Sequence, residues 1–350
     1  MNLTSTAISV ADWVAVRSRM THIVQPHYSG CGSALTFHSI CSHPRERLYD
    51  ENCFSYQALM ELLQQFSRAG VSVVSVEEAL RRLREYDKRY FVVLTFDDGY
   101  RDTYTQVWPA LRRLNIPFTI FVCTSFVNRT NDYWWGALLA LFQFQDVVDI
   151  DAMGKRFILR NQRDREVGVR QVMHWVKEDL AIRSKSLMPS FNRYDISPEA
   201  LLDRDALSED EIRSMAESSV VTIGGHGTTH LPLATLPAEQ ARREVADNRT
   251  FLQTISQQEV AHFAYPFGDS SACTWAEADL VRKAGYKSAF TTRIGNIFPE
   301  HLNAPFMLPR NSVHPRRPGA FHAVAQLAGV HRFLQGRGGS PVHPDTVPPI

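Results

Sequence analysis

The chain lacks several features at once, and each absence excludes something. No apolar run approaches the roughly 20 residues that a membrane-spanning helix needs. The start, Met1-Asn2-Leu3-Thr4, has no basic segment followed by an apolar one, so no secretory leader is read there. Net charge is nearly absent: 38 Lys and Arg stand against 37 Asp and Glu, leaving +1. That balance supplies no field for a polyanion, and nucleic acid is not an expected partner. Cysteine is scarce and odd in number: Cys31, Cys41, Cys53, Cys123 and Cys273, with no CxxC pair. This favours buried thiols in a reducing compartment over a disulfide framework. There are no internal repeats. A soluble cytoplasmic protein is expected, with its oligomeric state open.

With 44% hydrophobic residues in 350, the chain can bury a large core, as one barrel-sized domain or two smaller ones. Short β-rich runs alternate with helical patterns. Strands are expected at 34–38, 71–74, 91–96 and 118–122, and helices at 55–69, 76–83 and about 103–114. After Val220 the alternation resumes, with strands at 220–223, 262–264, 287–291 and 306–308 and helices at 237–255 and 275–284. Such a β-α-β-α rhythm argues for a parallel sheet with helical crossovers. It breaks between about 131 and 219, which has little β pattern and several helical segments, one over 166–180. This stretch reads as a helical insertion on a barrel loop, and at its end Ser208 and Glu211 have capping-box spacing. Residues 1–30 read as an N-terminal extension, 31–318 as the barrel, and 319–350 as a C-terminal helix and mobile tail rich in Gly and Pro.

Two polar clusters stand where a strand pattern gives way to a loop. Thr95-Phe96-Asp97-Asp98-Gly99-Tyr100 follows the apolar run Phe91-Val92-Val93-Leu94, and His226-Gly227-Thr228-Thr229-His230 follows Val220 to Gly225. Adjacent carboxylates resist joint ionisation, a cost a fold tolerates when a cation sits between them or one acts as a base. In parallel β/α barrels the C-terminal strand ends converge on one face. His226 and His230, one helical turn apart, can present both imidazoles on one side. With one carboxylate they make a two-His, one-carboxylate metal site, and the other carboxylate is free as a base. Alone, Asp-Asp-Gly is an ordinary solvated turn and His-x-x-x-His a helix surface pair; together they support each other.

The order TFDDGY, GGHGTTH and Phe263-Ala264-Tyr265-Pro266-Phe267-Gly268 resembles the polysaccharide deacetylase family, the carbohydrate esterases with a NodB-homology domain. The resemblance covers roughly Ala34 to Val313, interrupted by the insertion. It implies a distorted (β/α)7 TIM-like barrel that removes acetyl groups from sugars with a divalent metal, commonly zinc, with cobalt, nickel or manganese as alternatives. It implies Asp97 as general base, Asp98, His226 and His230 as metal ligands, and the Tyr265-Pro266-Phe267-Gly268 loop against the substrate, one of its N–H groups facing the oxyanion.

The chain departs from the family pattern twice. Many members carry an Arg at the position of Ala264 to orient the catalytic Asp, and Arg310 is the candidate replacement. A general-acid His usually stands near the last barrel strand, and His314 is the nearest here. His38, ending the first strand, matches a site-lining His of related deacetylases, whereas His262 reads as structural. In Tyr133-Trp134-Trp135, Trp134 is a candidate face for a sugar ring, weighed against packing of the inserted helices onto the barrel, the use that Leu138, Leu139 and Leu141 just after it favour. The expected partner is a carbohydrate, and the expected reaction is hydrolysis of an N-acetylhexosamine acetamide. The rival readings are an amidohydrolase acting on a non-sugar amide and a metal-retaining carbohydrate-binding protein.

Overall fold

The computed structural model describes residues 20–41, 53–313, 325–336 and 338–347. Its frame is an eight-stranded sheet with every named pairing parallel, in the order β11-β10-β9-β6-β5-β1-β12, with β4 paired beside β5. The strands are β1 (Gly32–Phe37), β4 (Ser72–Val73), β5 (Phe91–Phe96), β6 (Phe118–Val122), β9 (Val221–Gly225), β10 (His262–Ala264), β11 (Ser288–Phe290) and β12 (Asn311–Ser312). β1 and β5 are buried at every position. Burial on both faces is what a continuous apolar run in a parallel sheet produces. The crossovers are α1 (Tyr56–Arg68), α2 (Val76–Arg84), α3 (Trp108–Leu114), α6 (Glu209–Ala216), α7 (Ala238–Ser256) and α8 (Trp275–Lys283). The result is a curled half-barrel ringed by helices, a distorted (β/α) barrel.

The expected strand at 306–308 is reduced to one parallel bridge, Phe290 to Leu308. The chain then runs directly into β12, which pairs with β1. Residues 308–312 therefore touch both edges of the sheet and form the seam where the barrel closes. Arg310 lies in that seam, fully buried.

Between 131 and 219 the chain builds its own apolar core around Trp134, Leu138, Leu141, Phe142, Val172 and Phe191. Its main helices are α4 (Trp134–Phe144) and α5 (Gln162–Lys177), the latter the helix expected over 166–180, with a further helix starting at Leu180. Contrary to expectation, the stretch also contains an antiparallel hairpin of β7 (Val147–Ile150) and β8 (Lys155–Ile158), turned through a left-handed Gly154. The alternation there spans only four residues per strand, too short to stand out among the charges. α6 opens with the full Ser208/Glu211 capping box.

Cys41 and Cys53 are paired as a disulfide, Cα atoms 6.0 Å apart, which corrects the reading of all five as thiols. Cys41 closes β2 (Ser39–Cys41) and Cys53 opens β3 (Cys53–Ser55) of a small parallel pair, a proximity that sequence spacing does not reveal. Near the C-terminus, Val330 packs with Val24 and Tyr28 of the helix Met20–Tyr28. Thr346 is buried and its hydroxyl lies 3.0 Å from Nε2 of His301.

Candidate active site

Four functional side chains meet at the C-terminal ends of β5 and β9. After β5 the backbone turns sharply, with Asp98 at φ 73° and Gly99 at φ 96°. Asp tolerates the left-handed region better than most residues, and Gly adopts it freely. The turn aims successive carboxylates at different neighbours. Asp97 faces the barrel seam and Asp98 faces the loop after β9.

Arg310 grips Asp97 from the seam. Its Nη1 and Nη2 donate to Oδ1 and Oδ2, each at 2.7 Å, while Nε donates to the Thr291 carbonyl at 2.9 Å. The pair is almost fully buried, with Arg310 0% and Asp97 2% exposed, and its two-pronged geometry fixes the carboxylate plane. Burial pushes the Asp97 carboxyl up, but the charges of Arg310, His226 and His38 outweigh it and hold it below the usual carboxylate range. Ala264 is buried among Phe121, Phe290 and Leu308, so the seam holds the guanidinium that the chain lacks at 264.

His226 and His230 are not on a helix, as their spacing had suggested. They sit in an open loop, with His230 itself at φ 64°. Even so, both Nε2 atoms approach Asp98 Oδ1, at 3.3 and 3.2 Å. The Nδ1 of His226 lies 2.7 Å from the Ala264 carbonyl. A carbonyl only accepts, so Nδ1 carries the proton and the Nε2 lone pair points into the site. Asp98 Oδ1 is buried without a hydrogen-bond partner, although two imidazole nitrogens stand close by. All three donor atoms fall within 4.8 Å of one another. Three lone-pair atoms converging on one point, the carboxylate oxygen orphaned, suit a shared cation better than each other. Burial pushes Asp98 up, yet the two imidazoles and His38 hold it well below its ordinary value. Burial lowers the His226 imidazole, and Asp98 and Asp97 more than reverse this, so the two carboxylates favour positive charge at this point.

Around this centre, Phe267 places its ring 5.2 Å from that of His230. In its loop the Tyr265 N–H donates to Phe290 and that of Gly268 to Pro266, and Pro266 has no N–H. Phe267, at φ 62°, thus holds the loop's one N–H without an acceptor among the described residues. His38 is half-buried at the end of β1 and its charge acts on both carboxylates. His314 lies outside the described residues. Trp134 turns into the core of the insertion, 5% exposed, and is not at the site. Its neighbour Trp135 is, 5.4 Å from the His230 ring, its Nε1–H donating to Tyr100 Oη at 2.9 Å. Lys177, at the end of α5, stands 5.8 Å from the Phe267 ring, so the insertion supplies one wall of the cleft. The motif cluster named the right aromatic pair but not its helical phase.

His262 is far from this chemistry. It is buried at the start of β10, 2.8 Å from Ser288 Oγ and 2.6 Å from Glu77 Oε1.

A parallel half-barrel with paired carboxylates and paired imidazoles at its C-terminal rim defines the class of hydrolases that attack a carbonyl with water. A profile of the polysaccharide deacetylase family matches residues 84–289, and the chain belongs to that family. Its members hydrolyse N-acetyl amide bonds, and the chain is such a hydrolase. No curated protein matches it. Among solved structures, the chain is similar to the deacetylase PplD of Streptococcus pyogenes, in complex with acetate, at 17% identity over 81% of this chain and 92% of that one, TM-score 0.54. It is similar to IcaB of Ammonifex degensii at 18% identity over 86% and 97%, TM-score 0.53. The de-N-acetylase of Aggregatibacter actinomycetemcomitans matches at 14% identity over 85% and 99%, TM-score 0.54. At these identities the likeness is one of fold.

Proposed function

We propose that the chain is a metal-dependent deacetylase that hydrolyses the acetamide of N-acetylhexosamine units in a polysaccharide, an oligosaccharide or a glycan precursor. The observation that carries this reading is the convergence of Asp98, His226 and His230 on one point beside an Asp97 that Arg310 holds ionised. The names of the fold neighbours, IcaB and a de-N-acetylase among them, point to the same chemistry.

Asp98, His226 and His230 would hold a divalent metal, zinc being the expected ion for two imidazoles and a carboxylate. When bound, it polarises an acetyl carbonyl and makes a water acidic enough to attack at neutral pH. Asp97 takes the proton from the attacking water, and as the C–N bond breaks a proton passes to the departing nitrogen, so that acetate and a free amine are released. Arg310 keeps that carboxylate ionised and turns its free lone pairs toward the cleft. The Phe267 N–H donates to the oxygen on which charge develops, a contribution typically of about 3–4 kcal/mol. Trp135, its own N–H already used by Tyr100, offers an apolar face to the sugar or the acetyl methyl.

The test is acetate release from N-acetylhexosamine oligomers and activated sugar precursors by the zinc- or cobalt-loaded protein, beside Asp97→Asn and His226→Ala. Asp97→Asn should keep its metal and lose about 10²–10⁴ in rate. His226→Ala should lose both metal and activity. An Asp97→Asn enzyme with undiminished acetate release would sink the assignment of the base.

A further inference from the structure

The face of α7 turned to the barrel is apolar at Ala241, Val245, Leu252 and Ile255, but Glu244 and Asn248 interrupt it, 5% and 0% exposed. A carboxylate and an amide buried there are costly unless every polar atom is used. Both are used, and both on the loop that carries the two histidines. Glu244 Oε2 accepts the N–H groups of Thr228 and Thr229, each at 2.8 Å, and Oε1 accepts the Thr229 hydroxyl at 2.7 Å. Asn248 Oδ1 accepts the His226 N–H at 3.1 Å. Its Nδ2 donates to the Val122 carbonyl at 3.0 Å and to Thr124 Oγ1 at 2.8 Å, which ties the ends of β6 and β9 together. The approach depends on Gly225, where a Cβ would lie 2.5 Å from Asn248 Oδ1.

We infer that Glu244 and Asn248 are positioning residues that set the geometry with which His226 and His230 take up metal. The inference rests on the reading of Asp98, His226 and His230 as metal ligands. Because the loop from 226 to 230 is not helical, no helical ladder takes up its N–H groups: that of His226 is shared with the Val122 carbonyl at 3.1 Å, and among the described residues those of Thr228 and Thr229 reach only Glu244. An anionic side chain captures them from outside in charge-assisted hydrogen bonds. The left-handed His230 follows directly on this anchored pair, so its imidazole direction is inherited from Glu244. Asn248 does the same for the backbone of His226, while the Ala264 carbonyl orients its ring. These four residues, 244 and 248 on one helix and 226 and 230 on one loop, therefore form a single device.

Metal uptake tests it independently of turnover. The full chain, stripped of metal, is titrated with Zn²⁺ against a chromophoric chelator, and the visible absorption of the Co²⁺ form is recorded, for wild type, Glu244→Gln and Thr229→Val. Glu244→Gln removes the charge: its carbonyl oxygen can stay on the two backbone N–H groups while its amide donates to the Thr229 hydroxyl, and loss of the charge-assisted bonds should weaken Zn²⁺ binding about 10–100-fold, with an altered Co²⁺ band. Thr229 is exposed, so Thr229→Val should fold normally and weaken binding about 5-fold, the equivalent of one hydrogen bond. The double variant should bind no more weakly than Glu244→Gln, because the same bond is already disturbed. Unchanged Zn²⁺ affinity and Co²⁺ absorption in Thr229→Val and in folded Glu244→Gln, with only a lowered Tm, overturn the inference and leave Glu244 a purely structural brace. A wild-type chain that takes up neither metal overturns the metal reading itself, and this inference with it.

Discussion

Arg310 is the residue on which most depends, because it is fully buried and its only anion partner among the described residues is Asp97. Removing one partner of such a pair strands the other charge, so Arg310→Met should destabilise the fold by about 3–5 kcal/mol in denaturant unfolding. Arg310→Lys keeps the charge and loses the fork. With Asp97 less firmly held, its carboxyl rises, and the acid limb of the kcat/KM profile should move to higher pH. The sign for stability follows from the same shift: the folded-state carboxyl is depressed, so its contribution is present above the ordinary value of 3.8 and is lost as pH falls through it. An Arg310→Lys profile with an unmoved acid limb would refute this role. At this scale Asp97, Asp98, His226 and His230 were legible, because carboxylate and imidazole pairs at strand ends have few other uses. Arg310 was legible only through the gap at Ala264. Of the two uses weighed for Trp134, packing holds and the sugar-facing place goes to Trp135 instead, because adjacent aromatics at the start of a helix point about 100° apart and nothing in the string says which one faces the core.

At the scale of elements, the parallel strands were legible from their unbroken apolar runs, and α6 from its capping box. The cap can be weighed directly. Ser208→Ala removes the acceptor for the Glu211 N–H, 3.2 Å away, and should cost about 1 kcal/mol in urea unfolding with Zn²⁺ affinity unchanged, since among the described residues no side chain of α6 bonds the ligand loop. The 306–308 strand and the β7–β8 hairpin were misread for opposite reasons. The first is an apolar tripeptide that the barrel uses as a seam, and the second is a ribbon of two four-residue strands joined by the one turn Asp151–Met153. α7 carried a signal that went unread: Glu244 and Asn248 are spaced by one turn within an otherwise apolar stripe, which marks a helix that does something polar on its buried side.

For the molecule as a whole, closure depends on chain that comes late in the sequence. The 308–312 seam completes the barrel, and beyond it the short helical turn Pro344–Thr346 is pinned to His301. Burial lowers the His301 imidazole to about 4, so the folded state resists a proton that the unfolded chain accepts. The stability this represents is present above the ordinary value of 6.5 and is lost as pH falls from there toward 4. Thermal unfolding should show Tm declining across that window, and His301→Gln should flatten the decline. An equal slope in the variant would assign the effect to other groups. Among the described residues no helix is long and apolar enough to cross a membrane. The curled parallel sheet was foreseeable from rhythm alone, whereas the disulfide and the second core required knowledge of which distant segments meet.

The left-handed backbone at Asp98 and His230 also decides what a substitution at either position can teach. An alanine there keeps the Cβ in a conformation costing about 1–2 kcal/mol and removes the polar side chain that eases it, so its effect mixes lost chemistry with a displaced turn. Asparagine tolerates this region at both sites, and glycine enters it without strain. Comparing the alanine, asparagine and glycine replacements at 98 and 230 separates the donor atom from the bend that delivers it. At His226, whose φ is not positive, alanine alone suffices.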